Sequence, residues 1–174
     1  MAESTAIPGL LRIAPKSVTD GRGTVREMFR ASSFPLQVRW AQLNLTFTER
    51  GAVRGLHGEQ MTKLVGVASG TAFGAWVDTR AGSAAYGTVV TMELAVGTQV
   101  LVPAGVCNGF QATSAGGCEY LYCFDREWEP GLPGTALTPL DPDLGIAWPL
   151  EPILSDKDAA APTLAELTNP KLVR

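Results

Sequence analysis

The stretch Val38-Arg39-Trp40-Ala41-Gln42-Leu43-Asn44-Leu45-Thr46 alternates apolar and polar residues on a period of two. That is the pattern of a β-strand whose side chains point to opposite faces in turn. The even-numbered members after Val38 place Trp40, Gln42, Asn44 and Thr46 on one face. A strand that aims Gln and Asn to the same side is solvated there or lines a cleft. Leu43 and Leu45 are expected to face a second core layer.

The pattern repeats outward in both directions. Upstream, residues 9–15 read as a short strand, Asp20-Gly21-Arg22-Gly23 as a turn, Thr24 to Phe29 as a strand, and Ala31 to Pro35 as a loop or single helical turn. Downstream, the expected strands are Val53–His57, Lys63–Val67, Thr71–Asp78, Tyr86–Leu94, Thr98–Val102, Asn108–Ala112 and Tyr120–Phe124. Turns at Gly51–Gly55, Ser69-Gly70, Arg80–Ser83, Gly97 and Pro103–Val106 separate them. Turn signals at roughly ten-residue spacing, with no long helical period, specify an all-β antiparallel sandwich or jelly roll. Residues 129–156 are proline-rich, but Leu144, Ile146, Trp148, Leu150 and Ile153 predict an ordered wrap over the sheets. The tail, Pro162 to Leu167, predicts a short C-terminal helix with Thr163 as its N-cap and Glu166 three residues on. The whole chain, 1–174, is read as one domain.

Composition agrees and narrows the function. The chain has 174 residues, 45% of them hydrophobic and 18% charged, with 19 glycines and 12 prolines. That is enough apolar content for a core and too little charge for wholesale disorder. A net charge of −3 gives no basic field for nucleic acid. No apolar run reaches the roughly 18 residues that span a bilayer, and Met1 to Pro8 show no signal peptide. Three cysteines, Cys107, Cys118 and Cys123, do not make a disulfide framework and fit a reducing cytoplasm. There is one histidine, His57. This excludes metal sites built on several imidazoles, and without a C-x₂-C pair no metal is expected. For proton chemistry near neutral pH, His57 is the leading base.

Taken singly, the candidate residues have plain structural readings. In Arg54-Gly55-Leu56-His57, a regular strand would send Arg54 and His57 to opposite faces, unless Gly55 admits a bulge. Lys63 reads as an exposed edge-strand lysine. Tyr120 and Tyr122 read as packing residues, Asp156-Lys157-Asp158 as a solvated loop, and Arg22 as a surface arginine.

Their order along the chain says more. Asp20-Gly21-Arg22-Gly23, Glu27, Gln42-Leu43-Asn44, Arg54-Gly55-Leu56-His57 and Lys63-Leu64-Val65 are followed by Val77-Asp78-Thr79-Arg80, Val102-Pro103-Ala104-Gly105, Gly109-Phe110 and Tyr120-Leu121-Tyr122. Asp141 to Pro149 and Ile153 to Asp158 close the series. With these blocks the sequence resembles the dTDP-4-dehydrorhamnose 3,5-epimerase family over about Leu10 to Leu167. The resemblance implies a cupin-type β-jelly roll, usually a homodimer, that needs no metal or other cofactor. The implied substrate is a nucleoside-diphosphate 4-keto-6-deoxy sugar, dTDP-linked in the family's type member. The ketone acidifies the protons on C3 and C5, and epimerisation proceeds through an enolate.

On this resemblance His57 matches the base, Asp158 its carboxylate partner, Lys63 the group that stabilises the enolate oxygen, and Tyr122 the acid on the opposite sugar face. Arg22 and Arg54 match diphosphate ligands, Gln42 and Asn44 polar contacts, and Glu27 a residue near the nucleotide that is often reached across the dimer. Where the family commonly carries a histidine before Gly-Phe, this chain has Asn108. Trp128 stands where a tyrosine is usual, and Val25 where an aromatic is usual. Asn108 and Trp128 are expected to contact the sugar, without a proton to exchange near neutral pH. The altered sugar pocket suggests a tailoring epimerase acting at one carbon only. A non-catalytic sugar-nucleotide-binding cupin, and a keto-sugar isomerase or dehydratase using the same enolate, are the alternatives.

Overall fold

Glycine and proline cut the chain into short β-favouring runs, and these pair antiparallel. The computed structural model describes residues 1–168. In chain order the strands are β1 (Ala2–Ser4), β2 (Leu11–Ile13), β3 (Lys16–Asp20), β4 (Gly23–Glu27), β5 (Gln42–Thr48), β6 (Val53–Glu59) and β7 (Lys63–Ser69). They continue as β8 (Thr71–Asp78), β9 (Val89–Ala95), β10 (Gln99–Val102), β11 (Val106–Ala112), β12 (Cys118–Phe124) and β13 (Gly134–Ala136). One sheet has the order β1-β2-β10-β7-β12-β5 and the other β13-β6-β11-β8-β9, while β3 and β4 form a separate hairpin. This is the expected all-β sandwich of jelly-roll type. Among the described residues no helix is long and apolar enough to cross a membrane.

The main core lies between the two sheets. Val65, Val67, Trp76, Phe110 and Tyr120 pack there, with the Phe110 and Tyr120 rings stacked at 3.7 Å. A second layer forms on the outer face of the five-stranded sheet. Leu56, Val77 and Cys107 are covered there by Leu137, Leu144 and Trp148 from the wrap and by Leu164 and Leu167 from the tail. The expected ordered wrap is therefore present, although Ile153 stays exposed at the mouth of a cleft.

The helical tail has the expected cap. Helix α2 (Leu164–Thr168) is preceded by Thr163, whose Oγ1 accepts from the Glu166 N–H at 3.3 Å, while the Glu166 carboxylate accepts from the Thr163 N–H at 2.8 Å. A second short helix, α1 (Asp156–Ala159), replaces the solvated loop expected around Lys157. Ser155 caps it by accepting from the Asp158 N–H at 3.2 Å, so Ser155-x-x-Asp158 was a legible start signal.

Two strand expectations are corrected. The alternating stretch pairs only from Gln42 onward, because Trp40 leaves the sheet to pack edge-on against Phe29 and Phe34. Leu43 and Leu45 do not enter a core layer within this chain. They are 62% and 59% exposed, because β5 is the sheet edge and no described residue covers its outer face. In addition, the run from Tyr86 begins pairing only at Val89. Gly87, at φ 79°, turns the chain there and donates its N–H to the Asp78 carbonyl.

Candidate active site

Strand register alone places most of the candidate side chains in one space. Cross-strand partners in an antiparallel pair share a face. On β12, Tyr122 is opposite Asn44, Phe124 is opposite Gln42, and Phe124 is also opposite Lys63 of β7. All of these lie on the inner face that carries Tyr120 and Val65. In the facing sheet Asn108 is opposite His57, and Phe110, a core residue, is opposite Arg54. Arg54 and His57 are thus both turned inward, which a regular strand could not do.

The cause is a bulge in β6. Gly55 and Leu56 together oppose the single residue Gly109. Gly55 adopts φ 125°, and a Cβ on it would sit 2.5 Å from the Gly109 Cα. Only glycine fits a backbone approach this close. Leu56 drops through the sheet into the outer core layer, where it exchanges backbone hydrogen bonds with Leu137.

His57 is held from outside the sheets by α1. Its Nε2 lies 2.7 Å from Asp158 Oδ1. The Asp158 side chain is 9% exposed and that of His57 36%, so the carboxylate is sequestered while the ring reaches open space. A carboxylate partner makes Nε2 the protonated nitrogen and leaves Nδ1 with the lone pair.

Two adjoining spaces meet at this ring. One, of about 520 Å³, is lined by Thr46, Arg54, His57, Tyr122, Ile153 and Asp158. The other, of about 480 Å³, is lined by His57, Glu59, Trp128 and the segment from Glu129 to Ala136. Lys157 borders both. Burial pushes the Tyr122 phenol up, so it stays protonated at neutral pH. Its hydroxyl has no hydrogen-bond partner among the described residues. Arg54 is steadied at the rim by Thr48 Oγ1 at 2.9 Å and the Phe47 carbonyl at 3.3 Å. Gln42 donates to Asn44 Oδ1 at 3.0 Å and accepts from the Trp128 N–H at 2.6 Å, tying the Trp128 loop to β5.

Lys63 is not the exposed edge lysine its local sequence suggests. It is 3% exposed, on a strand with neighbours on both sides. Its Nζ donates to Asn108 Oδ1 at 2.8 Å, to the His57 carbonyl at 3.2 Å, and to Glu59 in a tight ion pair. Burial pushes the Glu59 carboxyl up, but the charge and hydrogen bond of Lys63 outweigh it and hold Glu59 below its ordinary range. The sequence reading missed Glu59, although it stands two residues after His57 on the same strand. Among the described residues no three His, Cys, Asp or Glu side chains gather where a metal could be held.

Arg22 and Glu27 are not brought to this cleft within the chain. Arg22 sits at the hairpin tip, 91% exposed and paired with Asp20 at 2.6 Å. Glu27 pairs with Arg30 at the hairpin base and lines a separate cavity with Lys16 and Phe29.

A histidine–carboxylate pair that shares a cleft with a protonated phenol and an arginine is an arrangement able to move a proton next to an anionic group. Comparison with known proteins gives the family. Residues 4–166 match the family model described as dTDP-4-dehydrorhamnose 3,5-epimerase. The chain belongs to this family.

It is 36% identical to a dTDP-4-dehydro-6-deoxyglucose 3-epimerase of Streptomyces bikiniensis, over 92% of this chain and 87% of the relative. It is also 36% identical to the dTDP-4-dehydrorhamnose 3,5-epimerase of Salmonella typhimurium, over 92% of this chain and 93% of that one. Among solved structures, the Legionella pneumophila dTDP-6-deoxy-D-glucose-3,5-epimerase RmlC, in complex with dTDP-4-keto-L-rhamnose, superposes with a TM-score of 0.89 at 33% identity, covering 99% of this chain and 96% of that one. As a member of this epimerase family the chain is an isomerase-class enzyme. The family's relatives include both double and single-site epimerases.

Proposed function

We propose that the chain is an epimerase of a dTDP-linked 4-keto-6-deoxy sugar that inverts one carbon next to the ketone. The observation that carries the reading is the His57 Nε2–Asp158 Oδ1 contact of 2.7 Å in a cleft that Tyr122 also lines.

In this reading His57 Nδ1 takes the proton from the carbon beside the ketone. The C–H electron pair forms the enolate, and Asp158 stabilises the imidazolium that results. Tyr122 then gives its phenolic proton to the opposite face of the same carbon, which inverts it. Proton return from His57 to Tyr122 through solvent closes the cycle. Arg54 at the rim suits the diphosphate. Lys63 supplies the positive charge buried behind the enolate.

Single-site action is supported by what the cleft lacks. Asn108 and Trp128 carry no proton to exchange near neutral pH. Glu59, held below its ordinary range, is ionised and is no acid. Tyr122 is the one phenol among the described side chains that line the two spaces.

A homodimer completes the site in this reading. Leu43, Leu45 and Phe47 form an uncovered apolar row on the edge strand β5, and Val18 and Val25 are exposed on the unsupported β3–β4 hairpin. A two-stranded hairpin is marginal alone, and an open edge invites another strand. The hairpin of a second copy, laid on β5, would carry Arg22 and Glu27 toward the neighbouring cleft.

The test is His57→Asn. It should abolish product formation and solvent exchange while dTDP still binds, as read by calorimetry. Full activity in the variant would remove His57 from the mechanism.

A further inference from the structure

We propose that Glu59 is a specificity-determining residue, whose carboxylate accepts a hydrogen bond from the C3 hydroxyl of the keto-sugar and so presents C3, rather than C5, to His57. The proposal rests on the reading of the cleft as a keto-sugar site and names the carbon that is inverted there.

Beyond its bulge β6 alternates regularly, and His57, Gly58 and Glu59 pair in turn with Ala136, Thr135 and Gly134 of β13. Gly58 faces the outer core layer, where a Cβ on it would meet Cys107 Sγ at 2.8 Å. His57 and Glu59 therefore share the inner face. Both line the second space beside Trp128. The Glu59 side chain is 19% exposed, against 3% for its partner Lys63, which does not line that space. Glu129, the other carboxylate there, is exposed on a loop.

Among the described residues the donors to this carboxylate are Lys63 and its own backbone N–H. A carboxylate has about four lone-pair sites, so acceptor capacity remains. Burial works against its charge, but Lys63 outweighs burial and keeps it an anionic acceptor. The substrate has to supply the next donor. Of the two carbons beside the C4 ketone of a 6-deoxy sugar, C3 bears a hydroxyl and C5 a methyl. A methyl would take water from the carboxylate and return no hydrogen bond. The spacing agrees with C3. Side chains two residues apart on a strand stand about 7 Å from each other. A reacting carbon about 3–3.5 Å from the base, whose own hydroxyl makes an O–H···O bond of about 2.7 Å, spans that interval. Glu59 is already ionised, so it holds the hydroxyl without supplying a proton, and the acid remains Tyr122.

The test crosses the residue with the substrate group it is proposed to bind. Solvent deuterium exchange at C3 is measured as kcat/KM for dTDP-4-keto-6-deoxyglucose and for its 3-deoxy analogue, dTDP-4-keto-3,6-dideoxyglucose, with wild-type protein and with Glu59→Gln. The wild type should prefer the hydroxylated substrate, and the ratio should fall by about tenfold or more in the variant, where a neutral acceptor replaces a charged one. Intrinsic differences between the two substrates, and general damage to the site, divide out of the comparison. If the analogue exchanges too slowly to measure, the same ratio is taken from its affinity in competition with the substrate. If Glu59→Gln does not fold, Glu59→Met combined with Lys63→Met removes the buried pair as a unit, and the ratio should fall at least as far. A ratio within about threefold of wild type in a folded variant makes Glu59 only the partner of Lys63 and overturns the proposal. Exchange at C5 alone, or at C5 as fast as at C3, also overturns it while leaving the keto-sugar reading in place. A wild type that exchanges neither proton defeats that reading first, and this inference with it.

Discussion

Replacing Asp158 by Asn isolates what the carboxylate contributes to proton abstraction. The substitution keeps the size of the side chain and leaves the Ser155 cap intact, because that bond uses the Asp158 backbone N–H. It removes the negative charge 2.7 Å from His57 Nε2. A neutral imidazole needs no counter-charge. In the transition state it becomes an imidazolium and the pair becomes a charge-assisted hydrogen bond. Such a bond contributes about 1.5–3 kcal/mol, and each 1.36 kcal/mol is tenfold in rate. The Asp158 side chain is 9% exposed, so solvent does little to make up for the lost charge. Asp158→Asn should therefore lower kcat by about 10- to 150-fold with KM little changed. The assay is initial-rate deuterium exchange by proton NMR, with thermal melts to confirm folding. A folded variant within about threefold of wild-type kcat would refute the reasoning, and so would a loss confined to KM.

Further outcomes follow from the same geometry. Tyr122→Phe should slow epimer formation by about 10²–10⁴-fold, while exchange of the proton that His57 removes and returns continues; loss of both together would take the acid role away from Tyr122. Gly55→Ala puts a Cβ 2.5 Å from the Gly109 Cα at φ 125° and should cost about 2–4 kcal/mol in urea unfolding; a loss under about 0.5 kcal/mol would mean the bulge is not held as described. Burial raises the Asp78 carboxyl, but hydrogen bonds from Arg80 and Ser83 outweigh it and hold it at about 2 against an ordinary 3.8. Because the folded value is the lower one, its stabilisation of about 2 kcal/mol is complete above about pH 5 and disappears as pH falls toward 2; Asp78→Asn should flatten that part of the stability curve, and an unchanged curve would contradict it. If the proposed homodimer forms, Leu45→Asp on the uncovered edge should convert it to monomer in light scattering and lower activity by about tenfold or more; a monomeric wild type would remove the shared-site reading.

The fold was legible in the sequence because strand periodicity and turn chemistry are local. Parity alone puts Gln42 and Asn44 on one face of β5, and spacing alone gives the Thr163–Glu166 cap. What local pattern could not supply was which faces are covered. Leu43 and Leu45 have the look of core residues, and only sheet order shows that β5 is an edge. Lys63 reads as an edge lysine until β7 is known to lie between β10 and β12. Arg54 and His57 violate the period of two, and Gly55 marked the place without fixing the outcome. Local pattern leaves Asp158 in a solvated loop; only the family resemblance pairs it with His57, 101 residues away in sequence. Glu59 could have been found, since it shares parity with His57 and stands four residues before Lys63.

The central claim is tested most directly by proton NMR of dTDP-4-keto-6-deoxyglucose in D₂O, with the wild-type protein and with His57→Asn. Wild-type enzyme should lose one of the two signals, C3 or C5, and the variant neither. No exchange with the wild type, or exchange that survives His57→Asn, would contradict the proton-transfer site described here. Loss of both signals would keep the site and contradict its restriction to one carbon.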